Sequence, residues 1–584
     1  MRQIRTAVLL VIGFNLLAVF SVWADSPHPA LPPSAAVASA HPAATAAGRE
    51  ILVAGGNAFD AAVAVAAALG VVEPTSSGLG GGGFFLIHRA ADGKQVMLDA
   101  RERAPAAATR DMYLDPADEF VRERSMNGPL AAGIPGMAAA LAYLAEHYGR
   151  LPLSQSLAPA IRLATDGFNV TPRYLRLIGF RKETLVTQPH AAAIFLGVDG
   201  KVQLGEVIKQ PDLANTLRLL GERGADGFYR GEIAARLVAG VVKGGGIWTE
   251  QDLANYAIVE REPIVFDYRG IRIVSAPPPS SGGVALAEAF NILSEFDLAG
   301  MDENTARHVI IEAMRRAYRD RAEYLGDPDH VDIPLERLLS KSHAIQLAAD
   351  LSLEKATSSS DLRPIGKEQG RDTTHFSVLD TQGNRVAATL SINYPFGAAF
   401  VPEGTGVLLN NEMDDFSARP LTPNAYGLVG VAANAIAPGK RPLSSMTPTF
   451  LESDDKIGIL GTPGGSRIIT MVMIGILDFA AGNKPESWVA AKRYHHQYLP
   501  DVVQFERGGL SRDEQRDLER RGHNLREVSY NYGNMHAILW DRDRDEVFAA
   551  SDPRGEGNAE VFNLLDSDDN VKKIIPRTRR TRSK

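Results

Sequence analysis

The place where this 584-residue chain could do chemistry is Asp372-Thr373-Thr374-His375-Phe376-Ser377. A threonine hydroxyl is a weak nucleophile because its proton is held tightly. Were Thr373 a chain terminus, its own α-amine, with a reference pKa of about 7.7–8.0, could take that proton. The polar stretch 356–370 just before it supplies slack beside the bond that would have to break. By itself, Thr-Thr at the start of a strand is ordinary β-propensity. Three more segments change the balance. Asn410-Asn411-Glu412-Met413-Asp414-Asp415 concentrates carboxylates that suit an ammonium group. Arg441-Pro442-Leu443-Ser444-Ser445 offers hydroxyls that suit a carboxylate. Pro463-Gly464-Gly465-Ser466 sets two bare backbone N–H groups at a helix N-terminus, a place for an anion or a developing oxyanion. Singly these read as a turn, a loop and a cap. Together they describe a nucleophile, an oxyanion hole and a pocket for the zwitterionic head of an amino acid.

The elements that must hold these residues can be read from periodicity. Residues 42–69 read as two helices split by Gly55-Gly56, the second apolar on nearly every face and so buried. Residues 76–83 form a glycine-rich loop that leads into a strand over 83–88. It matches G-x-G-x-x-G, but a strand follows where a dinucleotide site needs a helix, so the glycines are read as allowing close backbone approach. Helices are expected over 284–296 and 305–324, and an exposed connector over 356–370. Strands over 374–379 and 385–391 flank the turn Asp380–Asn384, with further strands expected at 407–409, 447–451, 458–460, 535–540 and 546–550. A helix over 467–480 takes Ser466 as its N-cap, and Ser511-Arg512-Asp513-Glu514 is a capping box.

Composition narrows the class. The chain is 45% hydrophobic and 23% charged, a globular balance that excludes wholesale disorder and a polytopic membrane protein. It has no cysteine, which removes disulfides, thiolate metal sites and a cysteine nucleophile. A net charge of -8 leaves no footprint for nucleic acid. No G-x-S-x-G elbow and no H-E-x-x-H is present, and the adjacent His495 and His496 cannot chelate as an i, i+4 pair would, so neither metal nor cofactor is expected. Residues 1–24 read as a secretory signal with an arginine-bearing start, an apolar run and Val22-Trp23-Ala24 at its end, which places the protein in the periplasm or outside the cell. An uncleaved membrane anchor is the rival reading. The basic tail 577–584 reads as solvated.

The chain resembles the γ-glutamyltranspeptidases, a family of N-terminal-nucleophile hydrolases. The resemblance rests on Asp60–Val63, Glu73-Pro74 with Gly78–Gly83, Asp99–Glu102, Pro277–Gly283, Asp372–Ser377, Asn393 with Phe396-Gly397, Leu408–Phe416, Arg441–Pro448 and Gly461–Arg467. It implies an α/β fold, a four-layer αββα sandwich, made from a proenzyme that cuts itself between Asp372 and Thr373. After the signal 1–24, the large subunit would be 25–372 and the small one 373–584, held together as a heterodimer. The implied activity is that of a γ-glutamyltransferase and glutathione hydrolase, passing the γ-glutamyl group to water, amino acids or dipeptides through a Thr373 ester. By the same resemblance Arg101, Ser444 and Ser445 hold the substrate α-carboxylate, and Asn393, Glu412 and Asp415 its ammonium. Gly464 and Gly465 are the oxyanion donors, Ser391 supports the nucleophile, and Tyr426 sits on a lid over 423–439 that favours small substrates. Tyr394-Pro395 departs from the family's common pair of threonines, and Asp372 is no family signature. Two alternatives stand beside this reading: a cephalosporin or glutaryl acylase of the same machinery, and an unprocessed, non-catalytic binding protein.

Overall fold

Two sheets meet face to face, and each is covered on its outer side by helices. The computed structural model describes residues 31–197, 200–359, 373–419 and 422–564. The signal, Asp372, most of the connector and the basic tail lie outside the described residues. The seven-stranded sheet runs, in spatial order, Asn558–Phe562, Ala35–Ser39, Thr374–Leu379, Arg385–Ser391, Gly82–Arg89, Lys94–Ala100 and Val259–Arg261. The six-stranded sheet runs Glu546–Ser551, His536–Asp541, Lys456–Gly461, Thr449–Glu452, Ile271–Ser275 and Ile264–Tyr268. Phe84, Leu86 and Met97 of the first sheet and Val274, Phe450, Ile459, Ile538 and Trp540 of the second form the apolar filling between them.

The outer layers follow from the apolar helices. Ala58–Val72 is buried along almost its whole length against the first sheet, because its Ala and Val side chains let other elements close on every face. It is opened by a capping box between Asn57 and Asp60. Gly282–Leu293, Glu303–Tyr324 and Ile468–Ala480 cover the second sheet. The result is the expected αββα sandwich. Among the described residues no helix is long and apolar enough to cross a membrane.

The strand that matters most lies inside the sheet. Thr374–Leu379 pairs with Ala35–Ser39 on one side and Arg385–Ser391 on the other, and every residue of both 374–379 and 385–391 is buried. The turn Asp380–Asn384 sets the hairpin register, with Thr374 opposite Leu390, so Thr373 falls across from Ser391.

Several expectations change. Residues 407–409 are no strand: Leu409 makes one isolated bridge to Gly80, and its backbone N–H and carbonyl bond Phe400 and Ala398 of the preceding turn instead of a sheet neighbour. Ser466 is not an N-cap; a short 3-10 turn, Gly465–Arg467, precedes the helix, which starts at Ile468. Residues 356–359, read as the start of an exposed connector, are tied down: the Ser359 N–H donates to Asp501 at 2.7 Å and the Ala356 N–H to the Arg521 carbonyl at 2.7 Å. The strands Ala35–Ser39, Lys94–Ala100 and Asn558–Phe562 were not foreseen. The first is Ala-rich and the other two carry polar and charged residues, so none shows the β-branched alternation that marks a strand.

Candidate active site

Thr373 is only 4% exposed, and its hydroxyl lies 3.5 Å from that of Ser391. That is long for a hydrogen bond, as unliganded catalytic contacts often are. The Ser391 hydroxyl is itself fixed by the Asn393 N–H at 2.7 Å. The glycine loop makes this crowding tolerable. A Cβ on Gly81 would lie 2.1 Å from the Ser391 carbonyl oxygen and one on Gly80 2.1 Å from that of Leu408, so only bare backbone fits beside the strand end.

Thr373 and Ser391 line a cavity of about 290 Å³ together with Arg101, Asn393, Glu412, Asp415, Tyr426, Ser444, Ser445 and Gly465. Of the site residues expected from sequence within the described segments, only Gly464 falls elsewhere: it lines a neighbouring cavity, on the far side of the same turn. Gly464 has φ 147° and Gly465 φ 58°, a pair of conformations that side chains resist. A Cβ on Gly465 would also strike the Tyr426 ring at 2.1 Å.

Charge in the cavity is interlocked. Arg101 is fully buried; its guanidinium bonds to Glu412, to Asp415 at 2.5 Å and, through Nε, to the Pro442 carbonyl at 3.1 Å. Burial pushes the Glu412 carboxyl up and Arg101 pulls it back, while the paired carboxylates keep Arg101 a cation. The three-carboxylate cluster does not act as one. Asp414 is turned out of the cavity, accepting from the Ser125 hydroxyl at 2.6 Å and the Ala425 N–H at 2.8 Å, and burial pushes it up to about 6. It holds the segment 423–439 instead. That segment is also held by Asn424, which donates to Asp415 at 2.8 Å, and by the Tyr426 hydroxyl, which donates to the Asn393 carbonyl at 2.5 Å. The Asn393 side-chain oxygen has no hydrogen-bond partner among the described residues, which leaves an acceptor in the cavity wall.

Two neighbours escaped the sequence reading. Arg321 donates to the Ser281 hydroxyl at 2.9 Å and the Ser445 hydroxyl at 3.2 Å, so it fixes one of the two cavity serines; burial lowers it to about 10. It lies in an arginine-rich helix, where charge ordinarily signals solvent. Glu102 sits 3.8 Å from Arg101 Nη1 with neither oxygen hydrogen-bonded among the described residues, and burial pushes it up to about 7. Loss of its proton as pH rises through that range would add a negative charge 3.8 Å from the Arg101 guanidinium, in competition with any substrate carboxylate that Arg101 were to hold. KM for a γ-glutamyl anilide is expected to rise about fivefold between pH 6.5 and 8.5. Glu102→Gln should flatten that rise, and a KM–pH curve identical to the parent's would refute the assignment.

Several histidines and acids elsewhere are already engaged. His495 pairs with Thr470 and Gln497, and His496 with Asp501, as structural residues do. His308, Glu312 and His523 cluster closely enough for an ion, but Arg315 and Arg316 already bond Glu312.

An αββα sandwich with a hydroxyl residue opening a central strand beside a glycine turn defines an N-terminal-nucleophile hydrolase. The chain belongs to the gamma-glutamyltranspeptidase family, whose model matches residues 44–562. It is 44% identical over 517 residues to the glutathione hydrolase proenzyme of Pseudomonas sp. (strain A14), across 86% of this chain and 89% of that one. With the glutathione hydrolase proenzyme of Escherichia coli (strain K12) it shares 42% over 544 residues, 92% of this chain and 93% of the other. The solved structure of cephalosporin acylase from Bacillus halodurans matches with a TM-score of 0.79 at 31% identity, covering 91% of this chain and 98% of that one.

Proposed function

We propose that the protein is an exported, self-cleaving γ-glutamyltransferase and glutathione hydrolase. The observation that carries this reading is the interlocked Arg101–Glu412–Asp415 cluster in the same cavity as Thr373. An α-amino acid bears its ammonium and carboxylate on one carbon, so a cation and two carboxylates held side by side complement it. Arg101 with Ser444 and Ser445 would take the carboxylate, and Asn393, Glu412 and Asp415 the ammonium. A glutaryl acylase substrate has no such ammonium for Asn393, Glu412 and Asp415 to hold.

The chemistry has two stages. In the precursor the Thr373 hydroxyl attacks the Asp372 carbonyl carbon and the Thr373 nitrogen leaves, giving an ester. Water hydrolyses it to a free Asp372 carboxylate, the Thr373 hydroxyl and a free Thr373 amine. That amine then accepts the hydroxyl proton as Oγ1 attacks the γ-carbonyl of the donor. The N–H groups of the Gly464–Gly465 turn would stabilise the oxyanion. Collapse expels the amine product, protonated by the α-ammonium, and leaves a γ-glutamyl ester for water or an acceptor amine to resolve. Large and small subunits, 25–372 and 373–584, would remain associated, since their strands share both sheets.

N-terminal sequencing of the purified protein, with a γ-glutamyl-p-nitroanilide assay in the presence and absence of glycylglycine, tests this. A fragment starting at Thr373 and anilide turnover stimulated by the dipeptide are expected. A turnover-competent, uncut chain would overturn the scheme, because Thr373 would have no base.

A further inference from the structure

A second cavity, about 600 Å³ in volume, lies behind the glycine turn. Pro463 and Gly464 line it, whereas the next residue, Gly465, lines the cavity of Thr373. The two spaces therefore share one short wall, and it is the wall assigned to the oxyanion. The second cavity is cationic: four arginines line it, and no acidic residue does among the described residues. Three of the arginines are already engaged: Arg467 bonds the Gln504 side chain, and two others pair with acids. Arg554 is held by Glu506 and Asp552, and Arg173 lies 3.4 Å from Glu73. Arg176, exposed at the rim on the short helix Pro172–Ile178, makes no ion pair among the described residues.

The polar groups of the wall point the same way. Asn534 is 1% exposed, yet neither its amide nitrogen nor its side-chain oxygen has a hydrogen-bond partner among the described residues. The Tyr532 hydroxyl, on a side chain 4% exposed, is likewise without one. Buried polar groups are rarely left unpaired unless a ligand or water completes them. Donors from an amide and a phenol, beside fixed guanidinium charge, are the set that a carboxylate takes.

We propose that this cavity binds the carboxylate of the group on the far side of the scissile amide. Such a carboxylate has two sources: the peptide that leaves the γ-glutamyl donor, and the amino acid or dipeptide that accepts the γ-glutamyl group. The proposal rests on the γ-glutamyl reading above and adds a charge requirement on the other side of the reacting bond. It assigns Arg176 as the rim cation that draws the carboxylate in, and Asn534 and Tyr532 as the donors that seat it.

Steady-state kinetics of the processed wild-type enzyme, Arg176→Ala and Arg176→Lys test this with paired compounds. Glutathione and γ-glutamyl-p-nitroanilide differ in whether the leaving group carries a carboxylate. Glycylglycine and glycylglycinamide differ likewise as acceptors. Arg176→Ala is expected to lose about tenfold in kcat/KM for glutathione, or to raise KM for glycylglycine about tenfold, relative to the neutral compound of each pair. Arg176→Lys should recover part of the loss, since the charge remains. A loss confined to glutathione identifies the leaving peptide as the ligand, one confined to glycylglycine the acceptor, and a loss in both a shared site. Equal effects on charged and neutral compounds, or none on any, overturn the proposal. Wild-type enzyme that turns over cephalosporin or glutaryl amides but no γ-glutamyl compound would refute the underlying reading and this proposal together.

Discussion

Thr373→Ala should give a single uncut polypeptide with no measurable γ-glutamyl transfer. One hydroxyl is asked to do two things, break the backbone and carry the acyl group, so its removal blocks both. Loss of a covalent nucleophile costs about 10⁴-fold or more in rate. Here the loss is compounded, because without cleavage no α-amine exists to act as base. The fold should survive: Thr373 precedes the strand Thr374–Leu379, and the substitution deletes one hydroxyl and one methyl from a site at the cavity wall. Gel electrophoresis and mass spectrometry supply the measurement. A single band near the 62.9 kDa of the full chain, less any leader removed on export, is the expected result. Two subunits from this variant would show that another group cuts the chain, and residual transfer at a tenth of the parent rate would remove Thr373 from the chemistry. Thr373→Ser retains the hydroxyl and should cleave and turn over at a reduced rate.

Arg101→Lys has the second-largest expected effect, and the structure explains why charge alone is not enough. The guanidinium spans Glu412, Asp415 and the Pro442 carbonyl at once, from a position without solvent. A lysine ammonium is a compact point charge that cannot reach three directions in one plane. Losing the two charge-assisted hydrogen bonds that the fork would make to the substrate carboxylate, at roughly 1.5–3 kcal/mol each, corresponds to about a hundredfold or more in KM for γ-glutamyl-p-nitroanilide. The kcat should fall much less, because Thr373, Ser391 and the glycine turn are untouched. Arg101→Ala is a poorer experiment: it strips the buried Glu412 and the half-buried Asp415 of their shared cation, a change worth about 3–5 kcal/mol of stability, and the fold itself would be at risk. An unchanged KM in Arg101→Lys would take Arg101 out of substrate binding.

The local features of the site were legible because their causes are local. A hairpin turn with its glycine near the end, a strand that begins with a hydroxyl residue, and adjacent glycines before a helix all act within a few residues. The structure places each near where the sequence put it. The reading failed where local pattern and actual role diverge. Residues 407–409 are apolar and β-prone, yet the backbone of Leu409 bonds the turn residues Ala398 and Phe400 rather than a strand. Ser466 has the right type for a cap, but the chain enters its helix through a tighter turn. Asp414 sits among acids of the same kind, and only the approach of Ser125 and Ala425 turns it outward.

What the amino-acid sequence determined by itself is the threonine proposed to react, the hairpin that sets Ser391 opposite it, the glycine turn and the apolar helices that force a layered fold. These depend on hydrogen bonding and periodicity between near neighbours. Tertiary structure alone decided which charges meet. Arg101 and Glu412 are 311 residues apart, and Arg321 lies 124 residues from Ser445. Their contacts exist only because particular layers stack in a particular order. The pairing of Arg176 with an unpartnered Asn534 around one cavity has the same origin. Long-range electrostatic partners are chosen by packing, and packing is a property of the whole core, not of any short stretch of chain.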